Sequence, residues 1–263
     1  MTIGNPRSLP QSSFSGGEGS TDFHMTDSLH SLRDAFFWIF MGLVLSLIPI
    51  ADFAGGIILL VGIILLILAL GKMGKTRLSS AGMMKSTRNW ILAYLLISIV
   101  VLIATMLFFI FALISYTPSV TVPGRSVIPS PISVLLTGSV RIVFIVSEIV
   151  GLVVGLISYI RLSQSLKILG RELSVIRITN AGRYLIYSII ITVVGSISSI
   201  VILFSYFTFV SVQRTSTISS VVTLLPLIAL PVIVILAGTI MEIIAFHSAY
   251  SGIDDFFRKK AGT

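Results

Sequence analysis

One apolar run, residues 35–70, constrains the fold more than any other feature of the chain, because it is too long for a single membrane span. As one helix it would be about 54 Å long at 1.5 Å per residue, whereas a bilayer core of about 30 Å is crossed by roughly 20 residues. Pro49 and Asp52 lie at its middle, where proline removes a backbone hydrogen bond and an aspartate is costly in hydrocarbon. The run therefore predicts two short spans, 35–50 and 54–71, joined as a hairpin.

The rest of the chain contains four more apolar segments of span length, each bounded by basic or proline-containing polar sequence. The composition agrees, since 55% hydrophobic and 11% charged residues fit no soluble class of domain. We therefore predict an all-α fold, a polytopic transmembrane helix bundle with six spans in three hairpins. The further spans are 90–115, 134–160, 184–210 and 221–247.

The positive charges fall on one side of this topology. Of the 18 lysines and arginines, all but Arg125, Arg141 and Arg214 lie in the loops 72–89 and 161–183 or beside the termini. Such loops stay on the cytoplasmic side, so we expect both termini to be cytoplasmic. Anionic lipid headgroups are the expected partners of these cations. A nucleic-acid contact is an open alternative, although orientation alone accounts for the charge.

The two ends of the chain are expected to lie outside the transmembrane domain, which covers residues 32–251. Residues 1–31 are rich in Ser and Gly without apolar periodicity, so we expect a disordered cytoplasmic tail there. Residues 252–263 should form a short charged cytoplasmic tail. These bounds leave the six spans and their loops as the one folded unit.

The loop after the fourth span keeps a helical apolar stripe, formed by Leu162, Leu166, Leu169 and Leu173. We expect this segment to continue the helix. It could lie along the inner headgroups, with its cations toward anionic lipid.

The fourth span carries the most informative charges, Arg141 and Glu148. Seven residues apart on a helix, they share one stripe at a separation of about 10 Å. Ser147, Gly151 and Gly155 on the same side favour close helix packing. Two interpretations remain open. Glu148 carries a proton or coordinates a cation with Arg141 as counter-charge, or the two residues form a polar clamp between helices.

Two other features favour ordinary structural roles. Glu242 lies near the inner boundary of the sixth span, where water can reach it, so interfacial anchoring is the favoured interpretation. The fifth span has small polar residues at steps of three and four, which favour helix packing. They are Ser188, Thr192, Gly195, Ser196 and Ser199.

The chain lacks the sequence motifs of common membrane enzymes. It contains no His-Glu-x-x-His, no Gly-x-Ser-x-Gly and no phosphate-binding loop, and zero Cys removes thiolate metal sites and disulfides. We therefore expect no enzymatic activity, no cofactor and no metal.

Three stretches of the chain carry a family resemblance: Leu32-Arg33-Asp34, the leg from Gly55-Gly56-Ile57 through Leu70-Gly71-Lys72, and Leu166-Lys167-Ile168-Leu169-Gly170. Together they resemble an uncharacterised family of multi-pass membrane proteins of Sulfolobus-type archaea. The resemblance implies an archaeal plasma membrane, and it brings no catalytic or binding residue with it.

We consider three functions for such a protein. The first is a scaffold or channel-forming subunit of a larger membrane complex that moves macromolecules, which requires other membrane subunits or further copies of the chain. The second is a small-solute or ion transporter that uses Glu148 and Arg141 at mid-membrane. The third, an enzyme acting on lipid, would need clustered polar residues at one interface, and the sequence does not supply them.

Overall fold

The computed structural model of the protein describes residues 18–115, 138–212 and 218–262, and this part of the chain is helical with no strand. Each helix contains a segment long and apolar enough to cross a membrane, which confirms the all-α fold with six spans. The helices are α1 (Glu18–Ser46), α2 (Asp52–Met73), α3 (Ala81–Ser115), α4 (Gly138–Glu172), α5 (Ile176–Val212) and α6 (Ile218–Ala261).

The helices form a ring that alternates in direction. Each packs against its neighbours in the chain, and α1 closes the ring against α6. The α2–α3 and α4–α5 turns, the start of α1 and the end of α6 therefore meet at one end of the bundle, which we call the basic end. The α1–α2 turn at residues 47–51 lies at the opposite end, called the distal end.

The first hairpin folds where the sequence predicts. α1 ends at Ser46, Pro49 lies in the turn, and α2 begins at Asp52, whose carboxylate suits the positive end of the helix dipole. Glycines bring the two helices into close contact. A Cβ atom at Gly42 would lie 2.6 Å from the Leu59 backbone nitrogen, and one at Gly62 would lie 2.7 Å from that of Ile39.

Lipid-facing and protein-facing regions separate along the bundle axis. On α3, large exposed apolar side chains recur from Leu92 to Ile110, a length of about 28 Å that matches the hydrocarbon core. Among the side chains that the structure describes, the fully buried ones cluster toward the basic end. There α6, with 44 residues, is about 66 Å long and extends well beyond a bilayer. Core members include Leu29, Phe36, Leu70, Met84, Leu166, Ile178, Leu185 and Ile253.

The ends of the chain are more ordered than expected. α1 already begins at Glu18, and Leu29 and Leu32 are fully buried, which corrects the disordered tail expected for residues 18–31. Residues 1–17 lie outside the described part of the chain. At the other end α6 continues to Ala261 and buries Ile253, so 252–261 is not a separate tail. The physical reason is that α1 and α6 pack against each other at the basic end.

This packing is visible in side-chain contacts along the α1–α6 seam. The imidazole of His30 stacks on Phe257 with 3.9 Å between ring centroids. An ion pair of 3.6 Å joins Arg33 to Asp254. These contacts close the ring at the basic end.

The apolar stripe of α4 also packs within the protein. Leu162, Leu166 and Leu169 are 4%, 1% and 0% exposed. The stripe therefore faces neighbouring helices and not the inner headgroups, because α3 and α5 continue beside α4 at the basic end. A buried hydrogen bond of 2.7 Å between the hydroxyls of Thr87 and Ser165 joins α3 to α4 there.

Candidate functional site

A cavity of about 530 Å³ lies among α3, α4, α5 and α6. Its volume falls within the range of small-molecule sites, about 300–1,000 Å³. Much of its wall is aliphatic, for example Leu102, Leu152 and Val193. Polar side chains line the remainder: Tyr94, Ser98, Tyr159, Ser188, Thr192, Ser196 and Glu242.

Glu242 is the one side chain with a formal charge among the described residues of the cavity wall. The phenol of Tyr159 on α4 donates a hydrogen bond to Oε1 of Glu242 on α6. Tyr94 and Tyr159 are the other titratable groups of the described wall, to which α5 contributes hydroxyl and aliphatic side chains. A carboxyl group in this region is expensive for a membrane protein, which makes it a candidate for function.

Toward the basic end the cavity is followed by a layer of buried apolar side chains, which we call its floor. One helical turn from the polar residues, each of the four helices contributes a buried apolar side chain. These side chains are Ile91 on α3, Leu162 on α4, Leu185 on α5 and Phe246 on α6. From Ser188 to Ser196 the lining of α5 covers about 12 Å along the axis. Glu242 and Tyr159 therefore lie near the floor of a site in the membrane region.

Two glycines of α4 make room for the cavity. A Cβ atom at Gly151 would meet nothing within 4 Å, and one at Gly155 would lie 3.2 Å from the Tyr94 ring. We expected both to pack against another helix backbone. The structure places both in the cavity wall. Gly151 faces open space there, whereas Gly155 is in close contact with the Tyr94 side chain of α3 and not with its backbone.

Close packing occurs on the other side of the cavity, between α5 and α6. A Cβ atom at Gly195 would lie 2.7 Å from Cγ1 of Ile235, and one at Gly238 would lie 3.3 Å from the Thr192 backbone nitrogen. Ser199, a second residue expected at a helix interface, donates to the Gly195 carbonyl of its own helix at 3.0 Å. α5 and α6 therefore form a tightly packed hairpin.

The intramembrane pair predicted from the sequence lies partly outside the described structure. The backbone of α4 passes through Arg141, Ser147 and Glu148, but their side chains lie outside the described part. Helix geometry puts the Glu148 backbone one turn distal to Gly151. The role of Arg141 and Glu148 stays a prediction.

Glu242 has a different setting from the one expected. The sequence favoured an interfacial anchor, whereas the structure places its carboxyl group in the cavity wall beside Tyr159. Tyr159 likewise fits the pattern of an interfacial aromatic, and nothing in the sequence links it to Glu242. The one sequence feature that pointed to the cavity was the polar stripe of Ser188, Thr192 and Ser196. This stripe is compatible with a polar cavity as well as with helix packing.

Within the described residues, no group of three or more His, Cys, Asp or Glu side chains could hold a metal ion. Comparison with known proteins adds no relative: no family model, no curated protein and no solved structure matches the chain. The resemblance to an archaeal membrane family therefore stays a prediction. Fold and site together define a multi-pass helical membrane protein.

Proposed function

We propose that this protein is a small-solute transporter whose binding site is the cavity among α3–α6. The observation that carries the proposal is the Glu242 carboxyl group, hydrogen-bonded to Tyr159 in the wall of a cavity large enough for a small molecule. A structural clamp needs no such space. The site supports the transport hypothesis with Glu242, in place of Glu148 and Arg141, as the central polar group.

The packing suggests how the site could change its access. α5 and α6 pack through glycines, and the cavity lies between this hairpin and parts of α3 and α4. Toward the basic end α4 and α5 are in direct contact, for example at Ser163 and Gly182. Because buried apolar side chains form the floor, solute would enter from the distal side. Rocking of α5–α6 against α3–α4 would then separate the floor residues of the two helix pairs. The Tyr159–Glu242 hydrogen bond crosses this interface and would break in that step.

Single-cysteine labelling tests the proposal, since the chain has zero Cys and every introduced thiol is the only one. Ser98→Cys places a thiol in the cavity wall, and Ile99→Cys places one on the neighbouring lipid-facing position, which is 44% exposed. In proteoliposomes, a small water-soluble methanethiosulfonate should modify Ser98→Cys much faster, because reaction needs water and a thiolate. Equal, slow modification of both variants would overturn the proposal.

A subunit role in a larger complex is the second candidate, and exposed cations at the basic end favour it. None of five such residues has an ion pair with a described residue: Lys75, Arg77, Lys85, Arg171 and Arg183. They would suit anionic lipid, an acidic membrane partner or a complex that moves macromolecules. Gentle extraction should then yield co-purifying chains. A monodisperse single-chain particle would contradict a subunit role.

A further inference from the structure

We infer that the solute taken by the α3–α6 cavity is a hydrophobic organic cation with a single positive charge. The inference rests on the proposed function and names its substrate class. Three properties of the described cavity wall support it: the sign of its charge, its aromatic residues and its aliphatic area.

The charge of the cavity selects for cations. Glu242 lines it, whereas no lysine, arginine or histidine appears among the described lining residues. The nearest basic side chains along the lining helices, Arg161, Arg183 and His247, lie toward the basic end and are not among the described lining residues. A cation can therefore pair with the carboxylate, while an anion would meet like charge with no compensating cation among the described lining residues. At low local dielectric this difference is large.

The aromatic residues add to the same preference. Tyr94 and Tyr159 both line the cavity, from α3 and α4 respectively. Tyrosine rings attract cations through their negative faces, and the attraction strengthens where water is excluded. Aromatic side chains near one carboxylate form a suitable binding site for an organic ammonium or phosphonium group.

The aliphatic wall and the size argue against a bare inorganic ion. Ions such as Ca²⁺ and Mg²⁺ need about six oxygen ligands at close range. In this cavity of about 530 Å³ the described oxygen ligands are one carboxylate and a few hydroxyl groups at separate positions. Leu156, Ile189 and Val193 line the wall between them. An apolar body attached to the charge would bury this wall, and one carboxylate balances one charge.

The test uses the reactivity of a cavity thiol toward cationic and anionic reagents of equal size. Ser98→Cys is reacted in proteoliposomes with the ammonium-bearing and the sulfonate-bearing ethyl methanethiosulfonates, each rate divided by that of a free thiol in water. We expect the cationic reagent to be favoured by roughly tenfold or more. Glu242→Gln should remove most of this preference. Asp52→Asn, which removes a carboxylate at the distal end, is the matched control and should leave it unchanged.

A second measurement uses reversible ligands. Tetraphenylphosphonium should protect Ser98→Cys from an uncharged methanethiosulfonate, whereas tetraphenylborate, of similar shape and opposite charge, should not. Glu242→Gln should weaken the protection by phosphonium at least several-fold. Gel filtration of each variant checks that it remains folded.

The outcomes separate the two proposals. If no reagent modifies Ser98→Cys faster than Ile99→Cys, the cavity is closed to solutes and the proposed function fails. If cationic and anionic reagents react equally fast, or if both tetraphenyl ions protect, the cavity stands and the cation selectivity is refuted. A cation preference that persists in Glu242→Gln overturns its assignment to this carboxyl group.

Discussion

Gly42→Ala should destabilise the first hairpin, whereas Gly56→Ala in the same hairpin should not. The structure supplies a matched pair: a Cβ atom at Gly42 would lie 2.6 Å from the Leu59 nitrogen and 2.7 Å from its Cα, while one at Gly56 meets nothing within 4 Å. Carbon atoms pack best at about 3.5–4.0 Å, so α1 and α2 must separate by about 1 Å in the first variant.

The size of the effect follows from two opposing contributions. Overpacking of this kind costs about 1–3 kcal/mol. Replacing glycine by alanine inside a helix returns up to about 1 kcal/mol through propensity, and both variants gain this contribution. Gly42→Ala should therefore be less stable than Gly56→Ala by about 1–3 kcal/mol, while Gly56→Ala itself leaves the free energy of unfolding unchanged or raises it slightly.

The assay is unfolding in mild detergent by titration with a denaturing detergent, followed by tryptophan fluorescence. The chain has 2 tryptophans, and Trp38 lies in α1 next to the glycine contacts. The difference between the two variants is the measured quantity. Equal stability of Gly42→Ala and Gly56→Ala would refute the close packing of α1 on α2.

Three further predictions concern packing at the basic end, and all are measured by the same unfolding assay. Leu166→Ala should lower the free energy of unfolding by about 2–5 kcal/mol, because the Leu166 side chain is 1% exposed. Leu96→Ala should cost far less, because Leu96 is 55% exposed on the lipid-facing side. Equal losses would mean that the α4 stripe lies at the membrane surface and not in the protein core. Leu29→Ala should lower the free energy of unfolding by a similar amount to Leu166→Ala. No change in stability would support the disordered tail that the sequence predicted for this segment. Glu172→Gln should cost about 1–3 kcal/mol, because its carboxylate accepts hydrogen bonds from Ser79 and Ser80 just before α3. An unchanged unfolding midpoint would contradict a stabilising role for these hydrogen bonds.

The sequence was informative about spans because hydrocarbon imposes a simple length rule. Pro49 and Asp52 mark the first turn, and six helices follow from apolar length alone. The length rule gives no information on how the helices pack against one another at the basic end. Leu29 and Leu32 are buried by α1 contacts with other helices, and the Ser- and Gly-rich composition around them conceals those contacts.

The candidate site was less predictable, since it depends on residues brought together by the ring. Tyr159 and Glu242 are 83 positions apart, and neither sequence neighbourhood indicates the other. Gly151 and Gly155 have the spacing of a packing motif, but spacing does not tell whether a helix or a cavity lies opposite. Gly42, Gly62 and Gly238 do pack closely against a neighbouring helix, and their sequence surroundings likewise do not indicate which helix that is.

Carbodiimide modification of carboxyl groups, located by mass spectrometry, tests most directly whether Glu242 lies in a solute-accessible cavity. Asp52, exposed at the distal end, provides the internal reference for reagent activity. Glu242 should be modified in the native protein, and tetraphenylphosphonium should slow its modification without affecting Asp52. Modification of Asp52 alone, with Glu242 intact until the protein unfolds, would mean that the bundle is closed around this carboxyl group and that it binds no solute there.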